Sequence, residues 1–199
     1  MPSVHTLVDI VVWLCWGLVA VVWIVGALYN SRRAPRARRR AFGGSAWYLI
    51  AICAWLVVRQ FLGVESVTFR VEPETLRLFG VALLVVATGF TLWARLVLGT
   101  MWSSAPVAKE RHVLRTDGPY AVTRHPIYTG ILGMLVASAL ALDFGAWLYI
   151  VVLVLVFFEL RIRDEERLLR EAFPSAYDEY RRRVPQLVPG LRLLRSSGS

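Results

Sequence analysis

The chain has 199 residues, 57% of which are hydrophobic, with a mean hydropathy of +0.54 and a formal net charge of +9. This composition exceeds that of ordinary soluble domains and indicates a single membrane-embedded domain. The positive charge comes without a recognisable nucleic-acid-binding fold, which argues against a nucleic-acid partner. The two cysteines, Cys15 and Cys53, lie singly in apolar runs and give no spacing for a disulfide framework or a metal site.

Five apolar runs are candidates for transmembrane helices, and a helix needs about 20 apolar residues to cross the bilayer core. The last two runs are shorter and are separated only by Asp143 and Phe144, which predicts a tight helical hairpin. A buried hairpin of a soluble protein is the alternative for this pair. We therefore predict an all-α integral membrane protein with about five transmembrane helices. The runs are residues 7–29, 47–62, 76–98, 127–142 and 145–158.

Basic residues are concentrated in segments that follow the first, third and fifth runs. Of the 23 Lys and Arg residues, 19 lie in segments 32–40, 109–124 and 161–195. With five crossings all three segments face one side, and the positive-inside rule makes that side cytoplasmic. We predict an N-terminus outside, a C-terminus inside and contact of segment 32–40 with anionic lipid heads. A single Lys against 22 Arg residues favours a GC-rich genome and hence a bacterial cell membrane.

Polar residues suited to chemistry accumulate after residue 98. We divide the chain into N-terminal transmembrane helices at 1–98, a core at 99–189 and a basic tail at 190–199. Pro119 and Pro126 interrupt helical structure before the fourth run, because proline fixes its own φ and disfavours α in the preceding residue. Segment 111–126 is therefore predicted to be an irregular cytoplasmic wrap. Such backbone near a membrane must be covered by protein or line a cavity, so the wrap predicts a pocket.

The fifth predicted helix continues into a charged extension whose opposite charges are spaced four residues apart. Such pairs stabilise the surface of a helix, and this alone is a sufficient explanation for them. Arg161 also lies within one turn of the apolar run, where its guanidinium can meet an anionic head group while its hydrocarbon part stays in lipid. This position predicts an amphiphilic substrate. The pairs are Glu159 with Arg163, Arg161 with Glu165, and Glu166 with Arg170.

Two strings of residues in the C-terminal half form a specific combination. They are His112-Val-Leu-Arg115, Gly118-Pro-Tyr120, Arg124-His-Pro-Ile-Tyr128 and Gly130, followed by Arg161-Ile162, Glu165-Glu166, Leu168 or Leu169, Phe173, Tyr177, Tyr180 and Val184-Pro185. Taken together over residues 95–189, they resemble the isoprenylcysteine carboxyl methyltransferase family of integral membrane enzymes. They are also similar, less closely, to the related phospholipid methyltransferases.

The resemblance implies S-adenosyl-L-methionine as cofactor, S-adenosyl-L-homocysteine as product, and methyl transfer to a lipidic or isoprenoid carboxylate that enters from the bilayer. It implies no metal, and the chain has no Gly-x-Gly-x-x-Gly fingerprint of a Rossmann site. Arg161 is implied as the catalytic, substrate-binding residue, and His125 as a contact to the polar end of the cofactor rather than a general base. The implied cofactor-binding residues are His112, Val113, Leu114, Arg115, Tyr120, His125, Pro126, Ile127, Tyr128 and Glu165.

Three other functions stay open at this point. A phospholipid or small-amine N-methyltransferase would use Glu165 or Glu166 as a base, because an amine acceptor must lose a proton. A sterol-type membrane reductase is a further alternative, because the C-terminal half of such enzymes resembles this chain in its Arg-His-Pro-x-Tyr segment. Such reductases use a nicotinamide cofactor. A non-enzymatic membrane scaffold or small transporter is the third alternative, although the sequence lacks the paired repeats typical of transporters.

Overall fold

A computed structural model describes residues 4–33, 37–40, 74–99, 107–109, 114–142 and 144–190 of the chain. The predicted run 47–62 and the end of the basic tail, 191–199, lie outside these described residues. The elements are α1 (Val4–Arg33), β1 (Ala37–Arg40), α2 (Glu74–Leu98), β2 (Val107–Lys109), α3 (Pro119–Val122), α4 (Pro126–Ala141), α5 (Phe144–Ala172) and α6 (Pro174–Arg183).

The predicted helical architecture is confirmed, with one addition. Strands β1 and β2 pair as an antiparallel ribbon in which Ala37 lies opposite Lys109, with an irregularity in register between Ala37 and Arg39. Sequence reasoning did not predict this ribbon, because segments of three or four residues carry too little periodicity to indicate a strand. The ribbon joins the segment after α1 to the segment after α2.

Two described helices, α1 and α2, are long and apolar enough to cross a membrane, and α4 is a shorter apolar helix. The apolar run 145–158 lies inside α5. Helix α1 leaves most of its apolar side chains uncovered, as Trp13 is 73% exposed and Leu14 is 66% exposed. Such a helix is not the buried core helix of a soluble protein, and its uncovered face matches a lipid environment.

Helices α2 and α4 pack against each other over most of their length and approach closely at two glycines. A methyl group at Gly80 would lie 2.7 Å from the backbone nitrogen of Ala141. At Gly130 it would lie 2.1 Å from Thr91 Oγ1 and 3.1 Å from Thr91 Cα. Small residues allow helix backbones in a membrane to come together, and here they fix the antiparallel alignment of α2 and α4.

Helix α1 completes a three-helix core. The indole Nε1 of Trp16 donates a hydrogen bond to Ser138 Oγ of α4 at 3.1 Å. At the other end, Arg95 Nη1 and Asn30 Nδ2 both donate to the carbonyl oxygen of Gly99, at 3.1 and 3.4 Å. These bonds join α1 to α2 where α2 ends. The buried side chains of the core are Val8, Val12, Val19, Leu84, Ala87, Met134, Ala137 and Ala141.

We expect Gly80→Ala and Gly130→Ala each to destabilise the protein by about 1–3 kcal/mol, because the added methyl group overpacks the contact between α2 and α4. Thermal unfolding in detergent measures this loss. Gly89→Ala is the matched control, since nothing lies within 4 Å of a methyl group at that position of α2. Equal stability of all three variants would contradict the close packing.

Candidate active site

The chain between α2 and α4 turns at two proline-led helix starts. Gly118 has φ +56°, a conformation that side chains disfavour, and Pro119 occupies the first turn of the four-residue helix α3. Pro126 in the same way begins α4. The predicted irregular wrap thus contains one short helix. Where the wrap ends and α4 begins, His125 and Tyr128 lie against α5.

A polar cluster forms where α4 meets α5. The hydroxyl of Tyr128 donates a hydrogen bond to Glu165 Oε1 at 2.5 Å. Arg161 Nε donates to Tyr128 Oη at 2.7 Å and to Glu165 Oε1 at 3.1 Å. The structure therefore brings together three of the residues predicted to form the site. The Glu165 side chain remains 24% exposed, so the carboxylate is still accessible from one side.

His125 lies between two consecutive carboxylates of α5. Its Nδ1 is 3.6 Å from Glu165 Oε2, and its Nε2 is 3.5 Å from Glu166 Oε1. The ring is stacked on Tyr128 with centroids 5.7 Å apart and an interplanar angle of 7°. Residue His125 is only 7% exposed, and its Nε2 has no partner that meets hydrogen-bond geometry. Both ring nitrogens therefore face protein carboxylates.

The charges of this cluster shift the pKa values of its members. Burial opposes protonation of His125, but the nearby carboxylates of Glu165 and Glu166 outweigh it and raise the pKa of the imidazole. Burial alone would raise the pKa of each carboxyl. His125 and Arg161 instead lower the pKa of Glu165. His125 and Arg124 lower the pKa of Glu166 to about 2. Both carboxylates are ionised at neutral pH and are weak proton acceptors.

Arg124 and Glu166 form a buried ion pair that sequence reasoning did not predict, since it considered Glu166 only as a partner of Arg170 or as the base of an N-methyltransferase. Arg124 Nη2 and Nε donate to Glu166 Oε1 at 2.7 and 3.0 Å, and the two side chains are 7% and 6% exposed. The signal in the sequence was that Arg124 directly precedes His125 and Glu166 directly follows Glu165. A charged side chain that is buried beside a site residue needs a partner of opposite charge.

The other predicted cofactor-binding residues differ in burial and in their distance along the chain from the polar cluster. Pro126 and Ile127 are buried in the first turn of α4. Leu114 is half-buried and Arg115 is exposed, and neither has a hydrogen bond to the polar cluster within the part of the chain that the structure describes. His112 and Val113 lie outside the described residues.

Tyr120 contacts α2 and α6 rather than Glu165. Its hydroxyl donates to the carbonyl oxygen of Ala94 at 3.5 Å, and its own carbonyl oxygen accepts a hydrogen bond from Tyr180 Oη at 2.6 Å. The side chain is buried, and burial raises the pKa of its hydroxyl. In this structure Tyr120 therefore anchors the wrap between two helices.

An apolar cluster adjoins the polar one. Phe158 of α5 stacks on Tyr128, with ring centroids 4.4 Å apart. It lies three residues before Arg161, which is about one helical turn. An amphiphilic molecule with an anionic head would find a cation and an apolar surface side by side here. The buried members of the cluster are Phe157, Phe158 and Ile162.

Comparison with known proteins bears on this geometry. Residues 80–171, which include α4 and all of the polar cluster, match the isoprenylcysteine carboxyl methyltransferase family. Protein-S-isoprenylcysteine O-methyltransferase B of Arabidopsis thaliana is 41% identical over 83 residues, which are 41% of this chain and 42% of that protein. The protein-S-isoprenylcysteine O-methyltransferase of Schizosaccharomyces pombe is 37% identical over 79 residues, 39% of this chain and 34% of that protein.

The chain belongs to the isoprenylcysteine carboxyl methyltransferase family. A longer match is the nickel-cobalt-cadmium resistance protein NccN of Alcaligenes xylosoxydans xylosoxydans, 30% identical over 157 residues, which are 73% of this chain and 67% of that protein. The chain thus spans between about a third and two thirds of the length of these three relatives. Members of the isoprenylcysteine carboxyl methyltransferase family are membrane proteins, in agreement with the uncovered apolar helices.

Metal-ligating side chains do not cluster in the part of this family member that the structure describes. Among those residues, no group of three or more His, Cys, Asp and Glu side chains is arranged to hold a metal ion. The ionisable residues of the site are instead paired with one another.

We expect the protonated state of His125 to stabilise the fold at acidic and neutral pH. Because the folded pKa is raised, this stabilisation is complete below the unfolded value of about 6.5 and is lost as the pH rises through the folded pKa. The free energy of unfolding of the wild type should therefore decline with rising pH more steeply than that of His125→Gln. The charged groups involved are Glu165 and Glu166 on α5, with Arg124 and Arg161 bound to them. Parallel pH profiles for the two proteins would contradict an imidazolium at this position.

Proposed function

We propose that this protein is an S-adenosyl-L-methionine-dependent methyltransferase that methylates the carboxylate of a lipidic or isoprenoid acceptor. The observation that carries the proposal is the Arg161, Tyr128 and Glu165 cluster placed one turn from the apolar surface of Phe158. Family membership and the printed names of the Arabidopsis and fission yeast relatives support methyl transfer to an isoprenylcysteine.

The residues of the cluster fit a cofactor that carries a positive charge. The Glu165 carboxylate is ionised and part-exposed, and a carboxylate accepts about four hydrogen bonds, so it can bind an amine or ribose hydroxyl in addition to its protein partners. When bound, the cofactor supplies a methyl group on a sulfonium, which is already activated for transfer. We propose that Glu165 holds it together with His112, Val113, Leu114, Arg115, Tyr120, His125, Pro126, Ile127 and Tyr128.

His125 takes a modified role in this proposal. Sequence reasoning made it a direct contact to the polar end of the cofactor, but both of its ring nitrogens face Glu165 and Glu166. We therefore assign it the orientation of Glu165, with any cofactor contact secondary to that.

Arg161 orients the acceptor. Its Nε is fixed by Tyr128 and Glu165, which sets the plane of the guanidinium beside the apolar cluster. A guanidinium binds a carboxylate through parallel charge-assisted hydrogen bonds. The acceptor carboxylate is ionised at neutral pH and attacks without a base, so the work of the protein is positioning, which supplies up to about 7–11 kcal/mol in well-oriented reactions. The acceptor's tail then lies against Phe158 and enters from the bilayer.

The same charges weigh against an amine acceptor. N-methylation needs a base to remove a proton, and the two candidates, Glu165 and Glu166, both have lowered pKa values. Family membership in turn favours methyl transfer over a reductase or a scaffold. We retain carboxyl O-methylation as the proposed reaction.

We also propose the topology. The basic segments after the first, third and fifth runs support a topology with the polar cluster and the C-terminus in the cytoplasm and the N-terminus outside a bacterial membrane. The soluble cofactor then reaches residues 99–189 from the cytoplasm, while residues 1–98 form membrane helices and 190–199 a basic tail.

Arg161→Ala should lower kcat/KM for the acceptor by at least about 100-fold, because it removes the group that orients the carboxylate. The affinity for S-adenosyl-L-homocysteine should change by less than about threefold, which is less than the energy of one charged hydrogen bond. Calorimetry measures the affinity, and transfer of labelled methyl to an S-farnesyl cysteine derivative with a free carboxylate measures turnover.

Arg163→Ala is the matched control for Arg161→Ala, since Arg163 lies on the same helix in an exposed pair with Glu159. Equal loss of turnover and homocysteine binding in Arg161→Ala would refute the substrate-side role. A wild-type protein that binds neither S-adenosyl-L-methionine nor its homocysteine product would overturn the proposed function as a whole.

Glu165→Gln should weaken S-adenosyl-L-methionine binding by about tenfold or more, because a neutral amide replaces a charged hydrogen-bond acceptor facing a cationic ligand. Titration calorimetry on the purified membrane protein measures the change. Glu179→Gln serves as control, as Glu179 is in an exposed pair with Arg183 on α6. Unchanged affinity in Glu165→Gln would remove this residue from the cofactor site.

A further inference from the structure

The segment after α6, residues 184–187, lies along the wrap, and we name it the strap. The backbone N–H of Arg124 donates to the carbonyl oxygen of Pro185 at 2.8 Å. The backbone N–H of His125 donates to the carbonyl oxygen of Gln186 at 3.2 Å. The residue that lies between the two carboxylates is therefore bonded through its backbone to the C-terminal part of the chain.

Side chains tie the strap to α4 and α5 as well. Thr129 Oγ1 donates to the carbonyl oxygen of Leu187 at 2.6 Å. Gln186 Nε2 donates to Glu159 Oε2 at 2.8 Å. The Leu187 side chain packs against the apolar cluster that contains Phe158. The strap thus contacts both halves of the candidate site, the charged half at His125 and the apolar half at Phe158.

Arg124 joins the strap to α5. Its Nη1 donates to the carbonyl oxygens of Val184 at 2.6 Å and Arg181 at 3.3 Å, while Nε and Nη2 donate to Glu166 Oε1. A planar guanidinium can serve a carboxylate on one edge and carbonyls on the other, whereas a lysine ammonium cannot span both. One buried side chain therefore connects the wrap, α5 and the strap.

Glu166 is held in place by further cations. Arg170 Nη2 and Arg181 Nε lie 3.4 and 3.6 Å from Glu166 Oε2, on the oxygen that Arg124 does not use. A carboxylate fixed at both oxygens is a rigid anchor for Arg124. The position of the strap is then determined relative to α5, which also carries Arg161 and Glu165.

We propose that Arg124 is a positioning residue that clamps the strap against His125, Thr129 and the Phe158 cluster, and so closes the acceptor side of the candidate site. This role rests on the proposed function for its effect on turnover, but the clamp itself is a property of the fold. Without it, the strap keeps its backbone bonds and its bonds to Thr129 and Glu159 but opens more often, which exposes His125 and the apolar surface to water.

Hydrogen exchange reports the clamp directly, because the amides of residues 124 and 125 donate to strap carbonyls. We expect Arg124→Met to accelerate exchange of these two amides by about tenfold or more, as local opening becomes easier. Arg124→Lys should restore only part of the protection. Thr129→Val, which removes a bond to the strap and leaves Arg124 intact, should accelerate the same amides. The control is Arg183→Met, since Arg183 forms an exposed pair with Glu179.

Turnover supplies the second readout. Arg124→Lys should lower kcat/KM for the S-farnesyl cysteine probe by about 100-fold, the size of effect that a displacement of about 1 Å produces. Its affinity for S-adenosyl-L-homocysteine should change by less than about threefold. Thr129→Val should show a smaller loss in the same direction.

The exchange experiment has an internal control. The amide of Tyr177, which donates to the carbonyl oxygen of Phe173 at the start of α6, should exchange as in the wild type.

The outcomes separate this proposal from the proposed function. Unchanged exchange at residues 124 and 125 in both Arg124→Lys and Thr129→Val would overturn the clamp, even if Arg124→Met fails to fold. Faster exchange in a protein that binds no S-adenosyl cofactor would leave the clamp standing and refute the function. Faster exchange with full turnover would refute the positioning role.

Discussion

Two adjacent carboxylates, the part-buried Glu165 and the buried Glu166, determine how the charged half of the site is assembled. Leaving a buried charge uncompensated costs about 3–5 kcal/mol, so each carboxylate requires cations brought from other parts of the chain. Glu165 receives Arg161 and the hydroxyl of Tyr128, while Glu166 receives Arg124. The wrap, the start of α4 and the middle of α5 meet because these charges must be paired.

Consecutive residues of a helix point about 100° apart, and the two carboxylates use this difference. Glu165 faces α4 and the candidate binding surface, whereas Glu166 faces Arg124 and the segment that follows α6. His125 contacts both carboxylates. The imidazole of His125 therefore links Glu165, which faces the candidate binding surface, to Glu166, which holds the structure together. Its protonation affects both carboxylates.

Sequence reasoning recovered what local patterns encode. Apolar runs predicted α1, α2, α4 and the first half of α5, and proline positions predicted where the wrap gives way to α4. The residue pair Arg161 and Glu165 was first explained as an ion pair along one helix, and the two side chains do form that pair, although they are mostly buried. What the spacing could not show is that Tyr128 of another helix completes it.

Contacts between distant segments escaped prediction for a physical reason. Arg124 contacts Glu166 and the strap only when α5 and α6 pack against the wrap. The periodicity of a sequence does not report contacts between segments so far apart in the chain. The ribbon of β1 and β2 is likewise a pairing of short, distant segments. The packing role of Gly80 and Gly130 was not predicted either, because it depends on the neighbouring helix.

The balance of charge at the cluster bears on how a reaction there would finish. Two carboxylates face the cations Arg124, Arg161, Arg170, Arg181 and a protonated His125, so this group carries three net positive charges. A carboxylate that enters from the lipid neutralises part of that excess. Its methyl ester carries no charge, so the excess positive charge of the cluster returns to its earlier value. The electrostatic attraction that holds the acceptor is therefore lost once the methyl group has been transferred. In the proposed reaction, the ester then partitions back into the membrane without any movement of the protein to expel it.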